Sequence, residues 1–165
     1  MPIEDEFEQN RISIAERLVE SSRFRVYSVE NSSRRFISLE SSEESLLMHA
    51  FEIVYETLEK LGVDDDEPMM NIISTYSGGE WRVIIFPRAK HRPSIFFEED
   101  ERRILISPAA VDLGGVCITQ LEKDFEKITK EDIALIFDEV CLSERAFRDF
   151  TSSLKQNLTR EAPHS

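Results

Sequence analysis

Short runs of alternating apolar and polar residues recur along the chain, and a period of two predicts β-strands. These runs cover residues 24–29, 35–39, 70–76, 81–86, 104–107 and 116–119. Between the third and fourth runs lies Ser77-Gly78-Gly79-Glu80, whose two glycines suit a tight turn between antiparallel strands. We therefore predict a β-hairpin over residues 70–86.

Apolar residues spaced three and four apart predict helices elsewhere. A short helix is predicted over residues 11–20, and the clearest one lies between Ser41 and Gly62, with Ser41 and Glu44 as a capping box. Thr129 and Asp132 form a second capping-box pattern before an apolar stripe. A final amphipathic helix runs through residues 147–154, and the polar tail over residues 156–165 is expected to fray.

Hairpins grouped before a helical end indicate an α+β fold, an antiparallel sheet with packing helices. The 165 residues, 41% apolar and 32% charged, predict a single globular domain over residues 1–165 with an acidic lead-in at 1–10. No apolar run reaches the roughly 20 residues that cross a bilayer. The acidic N-terminus is unlike a signal peptide, so we expect a cytoplasmic protein with Cys117 and Cys141 as reduced thiols.

The net charge of −13 argues against binding to DNA or to anionic membranes, because both require a cationic surface. Asp64-Asp65-Asp66 suggests a metal site, yet the loop lacks the glycine and distal glutamate of a calcium-binding loop. We interpret it as a solvated connection. No metal and no cofactor is predicted.

One basic cluster stands out in this acidic chain. Residues 81–97 hold no acidic side chain, and within them Arg88, Lys90, His91 and Arg92 follow an apolar strand. Clustered cations repel one another unless an anion lies among them, and arginine matches the geometry of phosphate oxygens. Two interpretations stay open here: the cations bind phosphate, or they pair with the acids at residues 98–101.

Several segments carry a resemblance to known families. Residues 71–76 and 81–88, an asparagine-led strand, then a tryptophan-led strand closing on Pro-Arg, resemble the C-terminal region of ATP adenylyltransferases. Residues 107–125 and 138–147 are similar to the C-terminal part of GDP-hexose phosphorylases. Both groups belong to the histidine-triad-like superfamily, as does an uncharacterised bacterial family with a similar pattern. The resemblance covers roughly residues 20–155.

The resemblance implies a histidine-triad-like fold and a nucleotide or nucleotide-sugar ligand. It also implies transfer of a nucleotidyl group through a histidine in an His-x-His-x-Gln-like segment, which this sequence does not contain. We expect that segment shortly before the position where this chain begins, in an upstream catalytic half. No catalytic residue is therefore assigned, and the phosphate contacts are predicted at Arg88, Lys90, His91, Arg92, Asn71 and Asp112.

Two functional predictions follow from different classes. The first is a nucleotide-binding domain of a nucleotidyltransferase-like or phosphorylase-like protein, which binds a nucleoside di- or polyphosphate or a nucleotide sugar. The alternative is a noncatalytic structural domain or a domain that forms a homodimer through an exposed sheet edge.

Overall fold

The protein is described by a computed structural model that covers residues 15–21, 23–30, 32–61 and 67–161. Its centre is an antiparallel sheet of five strands in the order β1-β2-β3-β5-β4. The strands are β1 (Ala15–Glu20), β2 (Phe24–Val29), β3 (Phe36–Ser41), β4 (Met70–Ser77) and β5 (Glu80–Pro87).

The hairpin between β4 and β5 is confirmed. Ser77 lies opposite Glu80, so Gly78 and Gly79 alone form the turn. Their φ angles are +61° and +83°, a left-handed conformation that side chains with a Cβ rarely adopt. The paired glycines therefore set the register of the two strands.

Helices surround the sheet, and two short 3₁₀ turns at Ser94–Phe97 and Asp100–Arg102 follow β5. The described helices are α1 (Glu44–Glu59), α2 (Ala110–Leu113), α3 (Glu122–Lys127), α4 (Lys130–Val140) and α5 (Glu144–Glu161). None of these helices is long and apolar enough to cross a membrane. The predicted α+β fold with an antiparallel sheet is confirmed.

Each face of the sheet carries its own hydrophobic core. On one face Val26, Leu39 and Ile85 pack with residues of α1 and α5. On the other face Ile84 and Phe86 pack with residues of α4 and with buried residues of the segment between β5 and α2. Because side chains alternate along β5, the neighbours Ile84 and Ile85 enter different cores.

Three predicted elements were wrong. The helix predicted over 11–20 is strand β1 from Ala15 onward, paired with β2, and residues 11–14 lie outside the described residues. The predicted strands 104–107 and 116–119 are irregular, because their amides bond to side chains and to backbone carbonyl oxygens outside the sheet, and not to a neighbouring strand. Leu105 N donates to Asp124 (2.9 Å), and Ile118 N donates to Asp112 (3.0 Å).

The predicted helix ends gave mixed results. The Ser41 capping box is wrong: Ser41 ends β3, its hydroxyl donates to the Arg23 carbonyl oxygen (2.6 Å), and α1 begins at Glu44. The Thr129–Asp132 capping box is confirmed, with Asp132 N donating to Thr129 Oγ1 (3.1 Å).

The tail predicted to fray from residue 156 is helical through Glu161. Leu158 is buried there, and Asn157 donates to Thr57 Oγ1 (3.0 Å) on α1. Packing on α1 thus orders a segment whose polar sequence alone indicates fraying. The Asp64-Asp65-Asp66 loop lies outside the described residues.

Candidate functional site

The basic loop, residues 88–93, begins where β5 ends, and backbone hydrogen bonds fix its first residues. Arg88 N donates to the Met69 carbonyl oxygen (2.9 Å), and Arg88 forms an antiparallel bridge with Cys141. Ala89 N and Lys90 N both donate to the Val140 carbonyl oxygen, at 2.9 and 3.4 Å. The end of α4 therefore holds the start of the loop against the sheet.

The Arg88 side chain is buried, and its two terminal nitrogens are engaged within the protein. Nη1 donates to Asn71 Oδ1 (2.7 Å) on β4 and to the Pro108 carbonyl oxygen. Nη2 donates to the carbonyl oxygens of Lys90 (3.0 Å) and His91 (2.8 Å). One guanidinium thus joins β4, the basic loop and the segment before α2.

Asp112 completes this buried part of the site. Its carboxylate accepts hydrogen bonds from Ala109 N (2.9 Å) and Ile118 N (3.0 Å), which fixes the loop around α2. Burial lowers the pKa of Arg88 from its ordinary value, while the negative charges of Cys141, when ionised, and Asp112 act in the opposite direction. Arg88 and Asp112 are buried and Asn71 is half-buried, and we call these three residues the interior group.

Lys90 points outward and pairs with Glu139 on α4 (Nζ to Oε1, 2.7 Å). The same carboxylate accepts hydrogen bonds from the Ser94 backbone N–H (2.9 Å) and from the Ser94 hydroxyl. Partial burial raises the pKa of Glu139, but the hydrogen bonds and the Lys90 charge outweigh it and lower the pKa to about 2. Glu139 therefore stays ionised and ties the two ends of the loop to α4.

Arg92 and Arg103 lie over the ring of Phe96, with guanidinium carbons 4.4 and 5.8 Å from its centroid. Both arginines are exposed, and the neighbouring Phe97 is 68% exposed. Across the described ranges, no carboxylate lies within ion-pair distance of Arg92 or Arg103. We call Arg92, Phe96 and Arg103 the arginine–phenylalanine cluster.

In the acidic run after the loop, Glu98 forms the ion pair that the described side chains show, and its partner lies outside the basic loop. Glu98 pairs with Arg102 (3.4 Å), and the carboxylate bound by Lys90 comes from α4. Among the described side chains, no ion pair joins residues 98–101 to Lys90 or Arg92, so this alternative has no contact there to support it.

The six predicted residues fall into two groups. The interior group is Asn71, Arg88 and Asp112, and the side chains of Lys90, His91 and Arg92 are exposed around it. Sequence reasoning missed Arg103 and Phe96. The spacing of Arg92 and Phe96 is a local signal for contact, whereas Arg103 returns to the ring through the two 3₁₀ turns, which no local pattern marks.

Residues 6–161 match the family described as GDPGP1-like, C-terminal domain. The chain belongs to this family. The resemblance to the C-terminal part of GDP-hexose phosphorylases is thereby confirmed. No curated protein and no solved structure matches this chain.

The site of this GDPGP1-like domain offers nitrogen donors and positive charge. Among the described residues, no group of three or more histidine, cysteine and carboxylate side chains is arranged to hold a metal ion. Exposed guanidinium groups beside an aromatic ring suit oxyanions such as phosphate.

Proposed function

We propose that this domain binds a nucleoside diphosphate or a nucleotide sugar, with its phosphates held by Arg92 and Arg103. The observation that carries the proposal is the pair of guanidinium groups on the Phe96 ring, which have no carboxylate partner among the described residues. Membership of the GDPGP1-like family supports a ligand of this class.

Electrostatics favour an anion at this position. Two like charges close to one ring repel each other, and an anion bound beside them offsets that repulsion. Each guanidinium offers paired N–H donors to two phosphate oxygens, and such charge-assisted bonds are stronger than neutral ones. His91 lies on the same exposed loop and adds a donor to a second phosphate group, and Lys90, which pairs with Glu139, has further N–H donors on its ammonium group.

The interior group has a different role in the proposal. Asn71 Oδ1, both carboxylate oxygens of Asp112 and the two terminal nitrogens of Arg88 are engaged in hydrogen bonds, which favours positioning of the loop. Their direct contact with phosphate stays a prediction. Loss of these residues should act on ligand affinity through the shape of the loop.

Isothermal titration calorimetry with GDP tests the proposal, using Arg92→Ala and Arg103→Ala. Each variant should bind GDP about tenfold more weakly, since one charge-assisted contact to phosphate is lost. Arg102→Ala is the matched control, because Arg102 adjoins Arg103, carries the same charge, is exposed and pairs with Glu98. Its affinity should stay within about twofold of the parent, as for an exposed surface pair.

Two results would contradict the proposal. One is equal loss of affinity in all three variants, which would reflect net charge and not a defined contact. The other is the absence of measurable GDP binding by the parent protein.

A further inference from the structure

An apolar groove lies between α1 and the hairpin, away from the arginine–phenylalanine cluster. Its apolar lining consists of Leu47, Met48, Phe51, Trp81 and Val83. Its volume is about 490 Å³, within the range of about 300–1,000 Å³ typical of ligand sites. Met48 is 59% exposed and Trp81 38% exposed, so water reaches side chains that proteins usually bury.

The apolar surface continues onto the edge of the sheet. The Tyr76 ring lies 4.8 Å from the Trp81 ring, and Ile72 and Tyr76 share one face of the edge strand β4. Tyr76 is 59% exposed and Ile72 is 41% exposed. Several large apolar side chains thus form one exposed patch, an arrangement that marks interaction sites more often than plain surface.

The charged residues at the groove have a single sign. Glu44 and Glu52 line it, Ser74 is its other polar residue, and no lysine or arginine of the described ranges does so. Glu44, Met48 and Glu52 follow one another at intervals of four residues along α1, so they share a helix face. Two carboxylates therefore flank an exposed methionine over about 12 Å of helix.

We propose that this groove docks a short amphipathic segment of another protein, with apolar anchors flanked by lysine or arginine. Apolar anchors match the methionine and aromatic lining, and the flanking cations match the two glutamates. The roughly 12 Å between the carboxylates corresponds to about two turns of a bound helix. A second copy of this chain is disfavoured, because each copy carries a net charge of −13 and the same acidic rim.

Trp81 provides a direct readout, because it is the one tryptophan in the sequence. The probe is a peptide of about 14 leucines and lysines in an amphipathic order, paired with a peptide that carries glutamate in place of lysine. The leucine–lysine peptide should shift Trp81 emission to shorter wavelength and saturate at micromolar concentration. The leucine–glutamate peptide should bind at least about tenfold more weakly.

A matched pair of variants separates the groove from the acidic surface as a whole. Met48→Lys should weaken binding of the leucine–lysine peptide by about tenfold or more, through a lost anchor and added repulsion. Leu135→Lys makes the same charge change at an exposed residue of α4, 69% accessible and outside the groove. Its affinity should stay within about twofold of the parent. Both positions are exposed, so both variants should fold.

Three outcomes would overturn the proposal. Equal affinity for the two peptides would show that charge complementarity does not contribute to binding. Equal weakening in Met48→Lys and Leu135→Lys would show nonspecific attraction of a cationic peptide to an acidic protein. A concentration-dependent mass that Met48→Lys abolishes would show that a second copy covers the groove.

Discussion

Arg88 and Arg92 lie on the same loop, but their guanidinium groups have different surroundings. Arg88 is 6% exposed and donates to one amide oxygen and three carbonyl oxygens, whereas Arg92 is exposed over an aromatic ring. A buried guanidinium with its terminal nitrogens engaged holds backbone in place. An exposed one without a carboxylate partner is available to a ligand.

Arg88→Lys should therefore act on stability. Lysine has three donors on one atom and cannot reach all four acceptors, so buried carbonyl oxygens lose their partners. We expect the free energy of unfolding to fall by about 3 kcal/mol in urea denaturation, the range for a broken buried charged network. Arg102→Ala should change it by less than about 0.5 kcal/mol. Unchanged stability of Arg88→Lys would contradict the positioning role.

Glu139 gives the loop a dependence on pH. Its pKa is about 2 in the folded protein against an ordinary value of 4.5, so the ionised group stabilises the fold above about pH 4.5. That contribution is lost as the pH falls from 4.5 towards 2.

Glu139→Gln measures this contribution. The variant should be about 1 kcal/mol less stable than the parent at neutral pH, a modest value because the pair is partly exposed. The difference should shrink as the pH is lowered through the acid range, in urea denaturation at a series of pH values. A difference that persists at the lowest pH would show that the carboxylate charge is not its source.

At the scale of elements, the β4–β5 hairpin depends on its two glycines. Neither meets any atom where a Cβ would be placed, so their positive φ angles are the whole constraint. Gly79→Val should lower the free energy of unfolding by about 1–2 kcal/mol, because a β-branched residue strains at positive φ. Gly78→Asn should cost less than about 1 kcal/mol, since asparagine tolerates that region. Equal losses, measured by thermal denaturation, would contradict this account.

The elements also show what a sequence can predict. The two glycines and the alternating residues around them specify the hairpin locally, as Thr129 and Asp132 specify the start of α4. The strand β1 and the irregular residues 104–107 depend on distant partners: β2 for the first, and the Asp124 carboxylate for the second. Local periodicity contains no information about such partners.

The candidate site likewise has a part that the local sequence predicts and a part that depends on distant contacts. The basic residues 88–92 are contiguous, so the loop could be found from sequence. The inward direction of the Arg88 side chain and the position of Arg103 beside Arg92 depend on tertiary contacts, which the sequence does not show. The family match over residues 6–161 agrees with the order of the motifs along the chain. No single motif is specific enough to establish the family.

At the scale of the whole molecule, the sheet couples two cores. Ile84 and Ile85 are consecutive and fully buried, yet each packs into a different core. Loss of order in β5 therefore removes support from both faces together. A single folding unit, as the prediction of one domain requires, should unfold in one transition.

Ile84→Ala and Ile85→Ala test this coupling. Each should lower the free energy of unfolding by about 2–4 kcal/mol, through lost burial and the cavity left behind. Trp81 fluorescence and far-ultraviolet circular dichroism should give coincident urea transitions in the parent and in both variants. Separate transitions, with one core melting before the other, would contradict the single unit.

The measurement that tests the central claim most directly is a nuclear magnetic resonance titration of the arginine side-chain N–H groups with GDP. Arg92 and Arg103 should shift with saturation on addition of GDP, because both contact phosphate, and guanosine should leave them unchanged. Arg102, paired with Glu98, should serve as the unaffected reference. Equal shifts of Arg102, or no shift of Arg92 and Arg103 with GDP, would contradict the account.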